Sequence, residues 1–355
     1  MPTYTTQEIA AQVQGELIGP ADLSIRGAET LELAQPGQLT FIGDIKYAPA
    51  WTASRASAAL LDQSIALTDP GPGRAFIRVA NADLAMALVL DLLAPPRVRP
   101  AAGVHPSAVI DPTAQIGAGV AIGAHCYVGA GVRIADETIL HPNVTILDEC
   151  TVGPRCEFYP GVVLRERCTI GARCIFHAGA VIGADGFGYR PAPGGRGLIK
   201  ITHIGTVTIG NDVEIGANAC VDRGKFSATV IGDGTKLDNL VQIGHNCRIG
   251  RACVFSGQVG LAGSVTVGDG VMMGGKVGVR DHLTIGNRVK IAGYAAIMED
   301  IPDGQVWAGY PAQERRGALR EHLAVRKLPA LIEKVEHWLA SSGGPPQDGA
   351  SGPSR

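Results

Sequence analysis

From Val104 onward, one apolar side chain recurs every six residues. The series runs Val104, Ile110, Ile116, Ile122, Val128, Ile134, Leu140, Ile146, Val152, Phe158, Leu164, Ile170, Phe176 and Ile182. It resumes at Ile209, Ile215 and Val221, then from Ile231 through Leu237, Ile243, Ile249, Phe255, Leu261, Val267, Met273, Val279, Ile285 and Ile291 to Ile297. A period of six fits neither the 3.6-residue helix nor the two-residue alternation of a strand. It is the signature of a hexapeptide parallel β-helix, a mainly β fold in which each hexad makes a short strand and a turn. Three hexads close one triangular coil. Coils stacked at about 4.8 Å, with roughly ten of them, predict a prism some 50 Å long.

A second position supports this phase. Two residues before each member of the series sits a small or β-branched residue such as Ala108, Val120, Thr138 or Val162. Cys126, Cys150, Cys156, Cys168, Cys174, Cys247 and Cys253 share that phase, and Cys220 does not. Cysteine so placed acts as a small buried hydrophobe, not as a metal ligand set or a disulfide framework. The 48 glycines of the 355 residues are assigned to the hexad turns.

A net charge of −2 gives no bulk attraction to nucleic acid or membrane. Residues 1–15 lack a signal-peptide pattern, and no apolar run is long enough to span a bilayer. With free cysteines, this predicts a cytoplasmic protein without stable membrane insertion.

The period divides the chain. Residues 1–100 lack it and read as a small α/β domain. Thr5 and Glu8 have capping-box spacing, Leu39–Ile42 and Ala58–Leu61 read as strands, and Asn81 caps a helix over 82–93. Pro95 to Pro100 reads as a stiff linker. The β-helix occupies 101–300. Two interruptions, 184–208 and 222–230, read as loops leaving the prism, and the first is favoured for function by its glycines and aromatics. Residues 311–340 read as two helical segments, the second beginning at Pro329. Residues 341–355 read as a disordered tail.

His245 is the histidine with chemistry to offer. It lies in Asp238-Asn239-Leu240-Val241-Gln242-Ile243-Gly244-His245-Asn246, a run expected to gather polar side chains around it. One coil, eighteen residues, further on stands Gly263, and one more gives Asp281, beside His282. The spacing predicts a vertical array on one edge, with a backbone N–H close to an imidazole. A general base beside an N–H donor is what acyl transfer to an amine needs. The residues alone leave open an unreactive surface histidine. A metal shared between His245 and His282 within one chain is disfavoured, since two coils separate them by about 10 Å.

Several motifs in order resemble one family, the UDP-3-O-(3-hydroxyacyl)glucosamine N-acyltransferases of lipid A biosynthesis. They are Leu39-Thr40-Phe41 with Lys46-Tyr47, Gly186-Phe187-Gly188-Tyr189, Ile215-Gly216-Ala217-Asn218 with Asp222-Arg223-Gly224, and Asp238-Asn239 through His245-Asn246. Gly257-Gln258-Val259-Gly260 and Ala262-Gly263-Ser264 follow. The resemblance covers residues 3 to 340. It implies a left-handed coil, a homotrimer and a uridine-binding N-terminal domain. It implies His245 as general base, Asp238 orienting it, and the Gly263 N–H stabilising the oxyanion. Asn239, Gln242 and His282 would contact the sugar nucleotide, and Phe41 and Tyr47 would hold the uracil. The acyl donor would be a 3-hydroxyacyl chain on the phosphopantetheine of acyl carrier protein, with direct transfer, no metal and no separate cofactor. Asp44 stands where the family often has Asn; an ionised carboxylate only accepts hydrogen bonds, so it is left out of the site. The alternatives are an O-acyltransferase of the same pathway, an acetyl-CoA-dependent acetyltransferase on a nucleotide sugar, and a structural β-helix without chemistry. The extra N-terminal domain argues against the first, and the polar run at His245 against the last.

Overall fold

The computed structural model describes residues 2–96 and 99–341. Arg97 and Val98 of the expected linker, and 342–355 of the expected disordered tail, lie outside the described residues. The chain divides into two compact units, Met1–Arg99 and Pro100–Arg355.

In the first unit a five-stranded sheet carries strands Gln38–Ile42, Ala58–Asp62 and Ala75–Val79 side by side, with helices Thr6–Gln12 and Ala82–Leu93. Thr5 and Glu8 form the reciprocal capping box that their spacing predicts, and Asn81 caps the second helix through the Leu84 N–H. Ile9, Leu39, Leu60, Ile77 and Val89 are among the buried residues of its core.

The second unit is a parallel β-solenoid. Two-residue strands stack into three sheets of nine, ten and twelve strands, the last closed by the antiparallel pair Val306–Ala308 and Gln313–Glu314. Partners lie eighteen residues apart, as Ile122 with Leu140 and Leu140 with Phe158. The hexad series therefore stacks on itself inside the prism, and the Phe158 and Phe176 rings lie face to face at 4.6 Å. The cysteine phase is interior too: seven cysteines are buried and Cys220 is half-buried. Cys150, Cys156 and Cys247 each donate an S–H to a carbonyl of the next coil at 3.0–3.1 Å. The hydroxyl of Thr138 does the same at 3.0 Å, so at these corners one small polar group both fills space and meets a backbone acceptor.

The turns correct the glycine reading. The left-handed position, three residues after each interior side chain, is held mostly by other residues, such as His125, Glu137, Asn143, Arg155, Asn218, Asn246 and His282. The strain, about 1 kcal/mol per residue, is offset by a hydrogen bond from each such N–H to the coil before it, to a side-chain hydroxyl at His125 and Asn246 and to a backbone carbonyl at the others. Glu137 to Ala118 and Asn143 to Ala124, both 2.9 Å, are examples. Many glycines instead directly follow the interior position, where coils touch. A Cβ on Gly153 would sit 2.6 Å from the carbonyl carbon of Gly171.

The two interruptions fall where expected. Ile170 pairs with Ile209, and Ile209 with Ile231, in place of partners eighteen residues on. The first insertion folds into a hairpin of Tyr189–Pro191 and Leu198–Lys200. The C-terminal segment is one helix, Arg315–Ser341, rather than two. Pro329 removes a single intrahelical donor, and the exposed helix runs through it.

Candidate active site

His245 stands at the corner that follows strand Gln242–Ile243. Register with Gly260–Leu261 places Gly263 in the next coil and Asp281 in the one after. The stacking is direct. The His245 carbonyl accepts from the Ser264 N–H at 2.8 Å, and the Gly263 carbonyl from the His282 N–H at 3.1 Å. Glycine at 263 leaves room for the His245 ring, because a Cβ there would fall 2.5 Å from Cε1 and 2.6 Å from Nε2 of His245. The imidazole thus lies against the Gly263 backbone.

This corner also breaks a rule followed elsewhere. At many corners an Asp or Asn of the next coil accepts the N–H that occupies the His245 and Gly263 phase. Asp136 serves Ala118, Asp148 serves Ala130 and Asp269 serves Arg251, at 2.7–2.9 Å. Gly263 has no side chain to cap His245, and Asp281 does not cap Gly263. Among the described residues, the Gly263 N–H donates to no protein acceptor.

A cavity of about 520 Å³ opens at this corner, lined by Asp185, Gly186, Phe187, Tyr189, Lys200, Asp222, Gln242, Gly244, His245, Leu261, Ala262 and Gly263. The first insertion supplies its outer wall. Lys200 and Asp185 pair at 2.5 Å across the hairpin. Gly186 fits because a Cβ would meet His203 Nε2 at 2.6 Å and His245 Cβ at 2.7 Å.

Two residues here carry no assignment from sequence. His203, only 4% exposed, tilts against His245 with ring centroids 5.1 Å apart. Its Nδ1 donates to the Ile201 carbonyl at 3.0 Å, and burial pushes its pKa down, which favours a neutral ring. Asp222 lines the cavity itself, and burial raises its carboxyl to about 6 against the lowering pull of the neighbouring Gln242 amide and of His245. The His245 Nδ1 lies 3.1 Å from Asn246 Oδ1. The Asn246 oxygen also accepts from the Lys225 N–H, and an acceptor in that role fixes the proton of neutral His245 on Nδ1, leaving Nε2 free as a base.

The structure does not gather the whole polar run around His245. Asp238 and Asn239 follow strand Lys236–Leu237, which belongs to another sheet. They turn a different corner and line a different cavity with Tyr159, His177, Glu214 and Lys236. Seven residues before His245 is one hexad plus one, a third of a coil away. Within one chain Asp238 therefore does not orient His245. Asp238 Oδ1 accepts from the Asn239 N–H at 2.7 Å, and Asn239 Oδ1 caps the Ala217 N–H at 2.7 Å. Gln242 does line the His245 cavity; His282 is exposed and outside that lining. His141 and His177 flank Tyr159 in a stack, each bonded to a glutamate, and so are structural.

In the N-terminal unit Phe41 and Tyr47 are both exposed, on strand Gln38–Ile42 and the 3₁₀ turn Ile45–Thr52. Asp44 is the N-cap of that turn and pairs with Lys46 at 3.2 Å, so its carboxylate is already engaged.

Residues 22–92 match the family model described as UDP-3-O-(3-hydroxymyristoyl) glucosamine N-acyltransferase, and 102–136, 150–184 and 228–263 match bacterial transferase hexapeptide repeats. A UDP-3-O-acylglucosamine N-acyltransferase of Francisella tularensis is 41% identical over 94% of this chain and 96% of its own length. The chain belongs to the UDP-3-O-acylglucosamine N-acyltransferase family. It is an acyltransferase. Family members from an Anaeromyxobacter species and from Chlorobium luteolum are 43% and 44% identical, over 94% and 90% of this chain and 95% and 91% of theirs. Among solved structures, the Arabidopsis UDP-N-acetylglucosamine acyltransferase superposes with a TM-score of 0.56 at 28% identity, covering 62% of this chain and 77% of that one. Among the described residues of this family member, no helix is long and apolar enough to cross a membrane.

Proposed function

We propose that the chain moves a 3-hydroxyacyl group from the phosphopantetheine thioester of acyl carrier protein to the 2-amine of UDP-3-O-acylglucosamine, in lipid A biosynthesis. His245 Nε2 takes a proton as the amine nitrogen attacks the thioester carbon. The carbonyl oxygen becomes an oxyanion beside the Gly263 N–H. Collapse of this intermediate expels the thiolate, which receives the proton from His245, so an amide and a free thiol result. Transfer is direct, with neither an acyl-enzyme nor a metal or other cofactor. Phe41 and Tyr47 hold the uracil, and Gln242 and His282 contact the sugar nucleotide. The working form is a cytoplasmic homotrimer.

The observation that carries this reading is the unpaired Gly263 N–H against the His245 ring. The test is to incubate the protein with UDP-3-O-acylglucosamine and acyl carrier protein charged with chains of different length, with and without a 3-hydroxyl, and follow the sugar nucleotide by mass spectrometry. A product heavier by one acyl group, whose newly added chain stays on the sugar under mild base that removes the 3-O-ester, supports N-acylation. No product with any donor, or acylation of a hydroxyl, overturns it.

A further inference from the structure

Asp222 is a carboxylate on the wall of the His245 cavity with no cation of its own. It follows Val221, which pairs with Ile243, so it stands one coil before Gly244 and beside the catalytic corner. The next residue locks its backbone. Arg223, 2% exposed, donates through Nε to the Gly183 carbonyl at 2.7 Å and through a guanidinium N–H to Glu166 at 3.2 Å. The Arg223 N–H also donates to the Ala184 carbonyl at 2.8 Å. Arg223 is therefore turned into the wall and does not neutralise Asp222. Asp185, the other carboxylate of the cavity, is already paired with Lys200. Among the described residues Asp222 forms no salt bridge, and the Gln242 side chain beside it in the cavity wall donates to the Ile243 carbonyl at 3.3 Å.

A half-buried carboxylate held in place without a countercharge attracts a cation that fits the cavity. We infer that Asp222 binds the 2-ammonium of the sugar substrate and holds its nitrogen beside His245. This rests on the acyl-transfer reading above. The bound ammonium must lose two protons in all. One leaves to solvent before attack, and the second passes to His245 and on to the departing thiolate. Burial pushes the Asp222 carboxyl up, as expected of a group whose countercharge arrives with the substrate.

The test compares equilibrium binding, at about pH 7, of UDP-3-O-acylglucosamine and of UDP-3-O-acylglucose, which carries a hydroxyl in place of the amine. A charge-assisted hydrogen bond predicts that the wild type prefers the amine by about tenfold or more. Asp222→Asn should bind both nearly equally, whereas Asp222→Glu should keep part of the preference and Asp185→Asn most of it. Affinity for UDP checks that each variant is folded. A wild type without the preference, or an Asp222→Asn variant that retains it, overturns the inference. His245→Ala must keep the preference, because it removes the base and not the carboxylate. If that variant is instead fully active, the base assignment fails while the Asp222 binding result stands on its own.

Discussion

Glycine 263 shows how tightly one residue is specified. Its backbone accepts any residue, but the His245 ring occupies the space a methyl group would need. Gly263→Ala should displace the imidazole by a fraction of an ångström to an ångström. Misplacement on that scale lowers kcat by up to about 10²-fold. Steady-state kinetics should show the loss in kcat, with KM for the sugar nucleotide little changed; a fully active alanine variant would mean that the ring and the glycine are not a working pair. This pairing was legible in the sequence, because eighteen residues separate neighbours in an uninterrupted stack. Within one chain Asp238 stays apart from His245 for the complementary reason: closeness in sequence is not closeness in a prism that turns a corner every six residues. His203 and Asp222 were not legible as site residues. They lie within the two interruptions, where the register of eighteen fails.

At the scale of elements, a charge cluster around the buried Arg223 ties the start of the second interruption to the solenoid. Glu166 meets Arg165 at 2.8 Å and Arg223 at 3.2 Å, and the hydrogen bond from Arg165 holds its carboxyl down to about 2 despite burial. The folded pKa lies below the ordinary value of 4.5, so the stabilisation is fully present above about pH 4.5 and is lost as pH falls through about 2. Glu166→Gln leaves Arg223 buried with a neutral partner. We expect a loss of about 1–3 kcal/mol at pH 7, discounted because Glu166 is partly solvated. Chemical denaturation at pH 7 and pH 3.5 checks this: the gap between wild type and variant should narrow at the lower pH, and a gap that does not change would show that the carboxylate charge is not the source. The strands, the capped N-terminal helices and both insertions were readable from period and cap residues. The turn chemistry was not, because hydrogen bonds between coils let ordinary residues adopt the left-handed conformation. Pro329 also misled, because one missing donor does not end an exposed 27-residue helix.

At the scale of the molecule, the surface bears on partners. Arg315, Arg316 and Arg320 crowd the first turns of helix Arg315–Ser341, with Glu314 and Glu321 partly offsetting them. A basic, exposed helix suits an acidic carrier protein, through charge steering that salt weakens. Replacing the three arginines by serine should raise KM for acyl carrier protein and flatten its salt dependence, while KM for the sugar nucleotide holds. Dissociation into monomers would instead assign the helix to assembly. Phe41→Ala with Tyr47→Ala should weaken nucleotide binding, since stacking on a base is worth about 1–3 kcal/mol per ring; an unchanged KM would place the uracil elsewhere. The central claim is that His245 removes the proton from the attacking amine. Single-turnover amide formation by His245→Ala, with both substrates saturating and the fold verified, tests it most directly. The account predicts a rate about 10²–10⁴-fold below wild type. A rate within about threefold of wild type would contradict it, because losing a general base costs far more than that.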